Sequence, residues 1–294
     1  MNIKKLAVAL GFGLSLACAA GPSAAQTRLS FEDDDIDFVL RGGVVTTSGL
    51  LAVGDVLVSI FEIPNFTING VNALPAGSEL TGVAAAQITS IVGNTVTFVR
   101  TTAGLDSFLA LGAAPDPTVV GGGANGGATI AMWLDSTPDL EVNRTVNVAS
   151  NCTNIGDCVD RATDGTLFQV DGFTTDPDEH WIATATTTGL DIGLMLAASS
   201  SNPVAIVAIA QTTLFNATGP IAFQNTFTGA LCANTVGCVA GPVGSATITG
   251  GAGLVNGAVA HSDFDFDKLQ VPEPGVLMLL ATGLLGIGAI RRRS

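Results

Sequence analysis

The residues best suited to chemistry in this 294-residue chain are two cysteine pairs, two acidic strings, two histidines and one glycine-rich loop. The cysteine pairs lie in two look-alike pieces, Cys152-Thr153-Asn154-Ile155-Gly156-Asp157-Cys158-Val159 and Cys232-Ala233-Asn234-Thr235-Val236-Gly237-Cys238-Val239. Both read C-x5-C-V around an Asn and a Gly, which points to a duplicated element. A disulfide can close so short a loop, so Cys152–Cys158 and Cys232–Cys238 are the expected bridges, each pinning a surface loop. Cross-pairing of the two pieces is the alternative. Zinc is the other partner for four thiolates, but this spacing is wider than that of zinc fingers.

The acidic strings are Glu32-Asp33-Asp34-Asp35-Ile36-Asp37 and Asp263-Phe264-Asp265-Phe266-Asp267. In a strand, the second would set Asp263, Asp265 and Asp267 on one face and the two phenylalanines on the other. Stacked carboxylates repel unless water or a hard cation lies between them, which makes these strings candidate calcium ligands. A solvated sheet edge that resists strand-to-strand aggregation accounts for them equally well. Neither string has the spacing of an EF-hand loop.

No other cluster carries a catalytic signature. His180 lies in Asp176-Pro177-Asp178-Glu179-His180-Trp181, which reads as a polar turn leading into a strand, and His261 stands apart from it. The loop Gly121-Gly122-Gly123-Ala124-Asn125-Gly126-Gly127 contains a formal G-x-G-x-x-G. A dinucleotide site needs such a loop to open a helix, whereas residues 128–134 read as a strand, so a turn is expected. The chain has no G-x-S-x-G elbow, H-E-x-x-H helix or P-loop. Carboxylate pairs for glycoside hydrolysis leave no spacing signature. The expectation is of no catalytic residue, and of a protein that is not an enzyme.

The elements that must position these groups read as strands. Residues 87–92 and 95–100 flank Gly93-Asn94, the two-residue linker of a tight hairpin. Further strands are expected at 55–61, 129–134, 141–148, 166–170, 181–187, 191–197, 204–211, 222–228 and 264–269. Many short strands at fairly even spacing predict a single all-β domain, a β-sandwich or a barrel-like closure. Residues 204–210 are apolar enough for a buried helix, but β-branched content and Pro203 favour a strand.

Charge narrows the partners. The chain carries 25 acidic and 11 basic residues for a net charge of −14. Lys4, Lys5, Arg291, Arg292 and Arg293 sit near the ends, so the body between them is more acidic still. Without a Lys/Arg cluster to neutralise phosphates, nucleic acid and anionic membrane are poor partners for that body. Abundant Gly, Ala, Thr, Val and Asn, with no Tyr, suit strands and turns, and the apolar content is too high for disorder.

The amino end has the three parts of a secretory signal over residues 1–25. Lys4 and Lys5 precede an apolar stretch from Leu6 to about Ala20, and Ser23-Ala24-Ala25 predicts cleavage between Ala25 and Gln26. Cys18 raises a lipoprotein alternative, but Leu16 stands one place off the usual lipobox position. Export implies an oxidising compartment, which favours disulfides over zinc.

At the carboxyl end, Val271-Pro272-Glu273-Pro274 is followed by an uncharged apolar segment, 275–290, and then Arg291-Arg292-Arg293. As a helix at about 1.5 Å per residue, that segment spans roughly 24 Å, close to the hydrocarbon core once the arginines snorkel. The arginines would hold the end in the cytoplasm and leave the acidic body outside. The prolines disfavour helix around Glu273, which predicts an extended, protease-accessible strip.

These features, in this order, resemble the PEP-CTERM sorting domain, over residues 271–294 alone. The resemblance implies recognition by an exosortase, an integral-membrane Cys-type transpeptidase, with cleavage near Pro272-Glu273-Pro274 and transfer or release of the body. It also implies a Gram-negative protein associated with exopolysaccharide or biofilm, anchored transiently in the inner membrane. An ordinary single-pass anchor is the alternative.

The chain is therefore read as a signal peptide (1–25), a β-rich extracellular domain (26–270) and a sorting segment (271–294). Its expected role is a structural or adhesive surface or matrix protein. Its expected partners are the exosortase, the export machinery and extracellular polysaccharide, and it needs no cofactor. A polysaccharide-acting hydrolase and a calcium-dependent binding module with the same tail are the rivals.

Overall fold

The computed structural model describes residues 28–112, 127–142, 150–173, 180–185, 190–197, 204–209, 212–216, 223–227, 239–240, 246–250, 254, 257–264 and 266–270. All of them belong to one compact unit, Arg28–Val271. The expected signal sequence, the sorting segment with Val271, Pro272, Glu273, Pro274 and Arg291–Arg293, and the cysteines Cys232 and Cys238 lie outside the described residues.

The first half of the unit is built from β1 (Arg28–Arg41), β2 (Val44–Thr46), β3 (Val56–Ile68), β4 (Val71–Asn72), β5 (Glu79–Val92) and β6 (Thr95–Arg100). A single helical turn, α1 (Asp106–Leu109), precedes β7 (Ala128–Asp135), and α2 (Ile155–Thr163) precedes β8 (Thr166–Gly172). β9 (Trp181–Ala185), α3 (Ile192–Ala197), β10 (Val204–Ile209), β11 (Thr212–Asn216) and β12 (Phe223–Phe227) follow. The last strands are β13 (Val239–Ala240), β14 (Ala246–Gly250), β15 (Ala260–Phe264) and β16 (Phe266–Gln270).

Turn chemistry sets the early register. Asn69 and Gly70 have φ of 53° and 78° between the paired residues Ile68 and Val71, the backbone that a two-residue hairpin requires. Gly93, at φ 59°, opens the expected β5–β6 hairpin, in which Val92 faces Thr95.

Eight strands pair in a closed antiparallel circuit: β1–β3–β5–β7–β8–β11–β12–β16 and back to β1. The sheet thus curls as a half-barrel, towards the barrel-like alternative, and each strand of the circuit has a neighbour on both sides. The long strands β1, β3 and β5 outrun this circuit. Past its limits β1 pairs with β15, and β15 with β14, while β5 pairs with β6, β6 with β9 and β9 with β10. β10 in turn packs against β14.

Both faces of the shared wall are covered, which is why these strands run buried rather than alternating. On one face Leu29, Phe31, Phe66, Leu80, Ile88 and Met132 form a core. Within it Phe31 stacks on Phe66 at 4.8 Å and Phe66 meets Phe168 edge-on at 5.7 Å. On the other face Ile36, Phe38, Ile60 and Val83 pack under Leu105, Phe108 and Leu109 around α1 and Val159 and Ala162 of α2. Each such fully buried side chain contributes about 1.5–3 kcal/mol relative to exposure. The packing is tight at Gly82. A Cβ there would meet the Phe61 ring and the Ala131 carbonyl oxygen, the latter at 2.6 Å.

Three expected elements differ. Residues 191–197 form α3 rather than a strand, because the Asp191 carboxylate accepts the N–H groups of Gly193 and Leu194 and caps a helix. Glu141 and Val142 lie outside any strand, and residues 143–149 fall outside the described ones. The Cys152–Cys158 segment leads into α2, with both cysteines buried in the core instead of on a surface loop.

Candidate functional site

The first and last residues of the folded unit are brought together by the sheet. β1 begins at Arg28, two residues after Gln26, and β16 ends at Gln270. Arg28 stands directly opposite Leu269, and Leu29 opposite Lys268. Both ends of the folded unit therefore leave from one place on the sheet.

The first acidic string lies wholly in β1, which has neighbours along both edges. The expected solvated edge is thereby corrected. Asp33, Asp35 and Asp37 are 4%, 6% and 1% exposed, on the face that also carries Leu29, Phe31 and Val39. Asp35 and Asp37 are held by hydroxyls from the neighbouring strands. Ser262 Oγ on β15 lies 2.7 Å from Asp37 Oδ2 and 3.0 Å from Asp35 Oδ2. Ser59 on β3 donates a short hydrogen bond to Asp37 Oδ1.

Proton counting decides how this group works. A hydroxyl has one proton, so Ser262 can donate fully to only one of the two carboxyls at a time. Asp37 thus lies within reach of two hydroxyls, and Asp35 shares one of them. Burial, followed by repulsion from Asp37, raises the Asp35 pKa well above the usual range. Burial raises Asp37 to about 6, against hydrogen bonds from Ser59 and Ser262 that favour its charged form.

The second string divides between β15 and β16, which pair with successive stretches of β1 in one continuous register. Asp263 faces Thr247 and Asp267 faces Ser30, while Asp265 lies outside the described residues. The string is therefore not one uninterrupted strand. Paired positions stop at Phe31–Phe266 and resume at Asp35–Ser262. The intervening residues of β1 are Glu32, Asp33 and Asp34.

A second group of carboxyls sits on the opposite face, beneath a covering segment. Asp34 is paired with Glu62, and Glu79 with Asp135. Glu79 Oε1 accepts the backbone N–H groups of Asp139 and Leu140 at 3.0 and 3.3 Å, and Glu62 Oε2 accepts that of Val142 at 3.1 Å. Burial raises Glu62 to about 7, and it also raises Glu79. These acids thus anchor residues 139–142 over the sheet.

The described cysteine pair is bridged as expected, Cys152 to Cys158, with Cα atoms 5.1 Å apart. Asn154 caps α2, its Oδ1 accepting the N–H groups of Gly156 and Asp157, while Asp157 accepts from Thr153. Asn154 had stood out in the sequence only as the shared Asn of the two C-x5-C-V pieces; its role there is to start a helix.

His180 precedes β9, and His261 on β15 is fully buried opposite Ile36. Burial lowers the pKa of His261, against an interaction with the Asp35 backbone that raises it. Among the described residues no three His, Cys, Asp or Glu side chains are placed to share a metal ion. No described helix is long and apolar enough to cross a membrane.

Residues 270–293 match the PEP-CTERM protein-sorting motif. Comparison with curated proteins gives no match, and comparison with solved structures gives none either.

Proposed function

We propose that this chain is an exported exosortase substrate whose acidic, barrel-like body works outside the cell as a structural or adhesive component of the surface or matrix. The observation that carries this reading is the sorting motif at 270–293, which begins where the last strand of the body ends. The motif implies a membrane-anchored intermediate and an exosortase as processing partner. The ordered Pro-Glu-Pro, apolar and Arg-rich features of 271–294 fit a segment made to be removed.

The body is read as non-enzymatic. What supports this is the use already made of its buried carboxyls: Asp35 and Asp37 tie β1 to β3 and β15, and Glu62 and Glu79 hold down residues 139–142. Extracellular polysaccharide is the partner expected from the resemblance to this sorting class.

Mass spectrometry of the mature protein from its native host tests the reading. The expected product starts at Gln26 and lacks Arg291–Ser294. A mature surface protein that keeps Arg291–Ser294 would overturn it.

A further inference from the structure

Almost no chain separates the folded sheet from the sorting motif. Gln270, the last residue of β16, faces Phe223 of β12, and Leu269 is paired on both sides, with Gln224 of β12 and Arg28 of β1. The matched motif begins at residue 270, so its first residue is also the last rung of the β12–β16 ladder. At roughly 3.5 Å per extended residue, the stretch from Gln270 to Pro274 reaches at most about 14 Å.

An enzyme that cuts a peptide bond holds several residues on each side of it extended, commonly as an added strand. For a cut within Pro272-Glu273-Pro274, the residues on the amino side include Leu269 and Gln270. Their backbone lies in ladders with β1 and β12. One backbone N–H or C=O cannot serve the sheet and the enzyme together.

β16 also closes the eight-strand circuit, lying between β12 and β1. It is the last strand of the body and β1 the first, so the circuit cannot close until the end of the body is present.

Resting on the sorting reading above, we infer that β16 gates its own processing: the transpeptidase takes the tail while the end of β16 is unzipped from β1 and β12. The step itself is acyl transfer. The enzyme thiolate attacks the scissile carbonyl, the C–N bond breaks, and the departing tail amine takes a proton. Water or an acceptor nucleophile then releases the body from the thioester. Opening a strand end takes far less free energy than unfolding the domain, so folded chains are still cut, at a rate set by fraying.

The test uses the full chain in its native host, following loss of the tail by mass over time. Phe223→Cys with Gln270→Cys places a cross-link between directly opposed residues at the end of β16. Phe223→Ser with Gln270→Ser is its unbridged control. A third variant carries a short Gly/Ser linker between Gln270 and Val271, which moves the motif off the sheet without touching β16.

The cross-linked protein is expected to lose its tail roughly tenfold more slowly, or worse, than the serine control, because fraying is blocked. The linker protein is expected to be cut faster than the parent. Cross-linked and linker proteins processed at the parental rate would overturn the gate while leaving the sorting reading intact. A parent chain that keeps its tail would instead overturn the sorting reading itself.

Discussion

Arg28, the first residue of β1, stands directly opposite Leu269, the penultimate residue of β16. Through that one pair the two ends of the body become neighbours, although the whole domain lies between them in sequence. Signal removal and tail removal, both proposed for the flanks, would then act on adjacent points of the folded unit.

The buried acids predict a body that is most stable in mild acid. The folded state raises Asp37 to about 6 and Glu62 to about 7, and also raises Asp35. It therefore holds protons that the unfolded chain has released, and this stabilisation is full below the unfolded values and lost as pH rises through the folded ones. His261 acts in the opposite sense. Its lowered pKa makes the unfolded chain take up a proton first as pH falls below 6.5. Thermal melts should give a Tm that climbs from pH 8 towards pH 6. Asp37→Asn should flatten that slope, and His261→Phe should extend the climb to lower pH. A Tm unchanged between pH 6 and pH 8 would contradict the assignment.

Removing the bridge with Cys152→Ala and Cys158→Ala should cost roughly 2 kcal/mol by the loop-closure estimate, before any loss of core packing. Urea unfolding of the purified body measures this directly. Peptide mapping without reductant should recover Cys152–Cys158 as one linked fragment and leave Cys232 and Cys238 to each other.

Gly82→Ala should destabilise the body by about 1–3 kcal/mol, because the new methyl group must displace the Phe61 ring or the β7 backbone. Tail removal from this variant in the native host should be faster than from the parent if opening of the barrel limits it.

Asn154→Ala removes the cap of α2 and should cost about 1 kcal/mol. Asn154→Asp, which keeps an acceptor at that position, should restore most of the loss. An alanine variant as stable as the parent would show that the disulfide alone holds the turn.

The sequence by itself determined the features written in local chemistry. The β5–β6 hairpin followed from Gly93-Asn94 between alternating runs, and the Cys152–Cys158 bridge from two thiols close along the chain. The sorting motif followed from a Pro-Glu-Pro, apolar, arginine order that needs no partner elsewhere in the chain. Where one capping residue outweighed the pattern, as with Asp191 at α3, the local reading failed. What only the tertiary structure decided were the relationships between distant residues. Nothing in Glu32-Asp33-Asp34-Asp35-Ile36-Asp37 reveals that Ser59 and Ser262 will reach its carboxyls, or that Asp33, Asp35 and Asp37 will be buried. The closed circuit is likewise a matter of pairing between the first strand and the last. A strand's pattern tells which face is apolar, whereas its neighbours are chosen by the packing of the whole sheet.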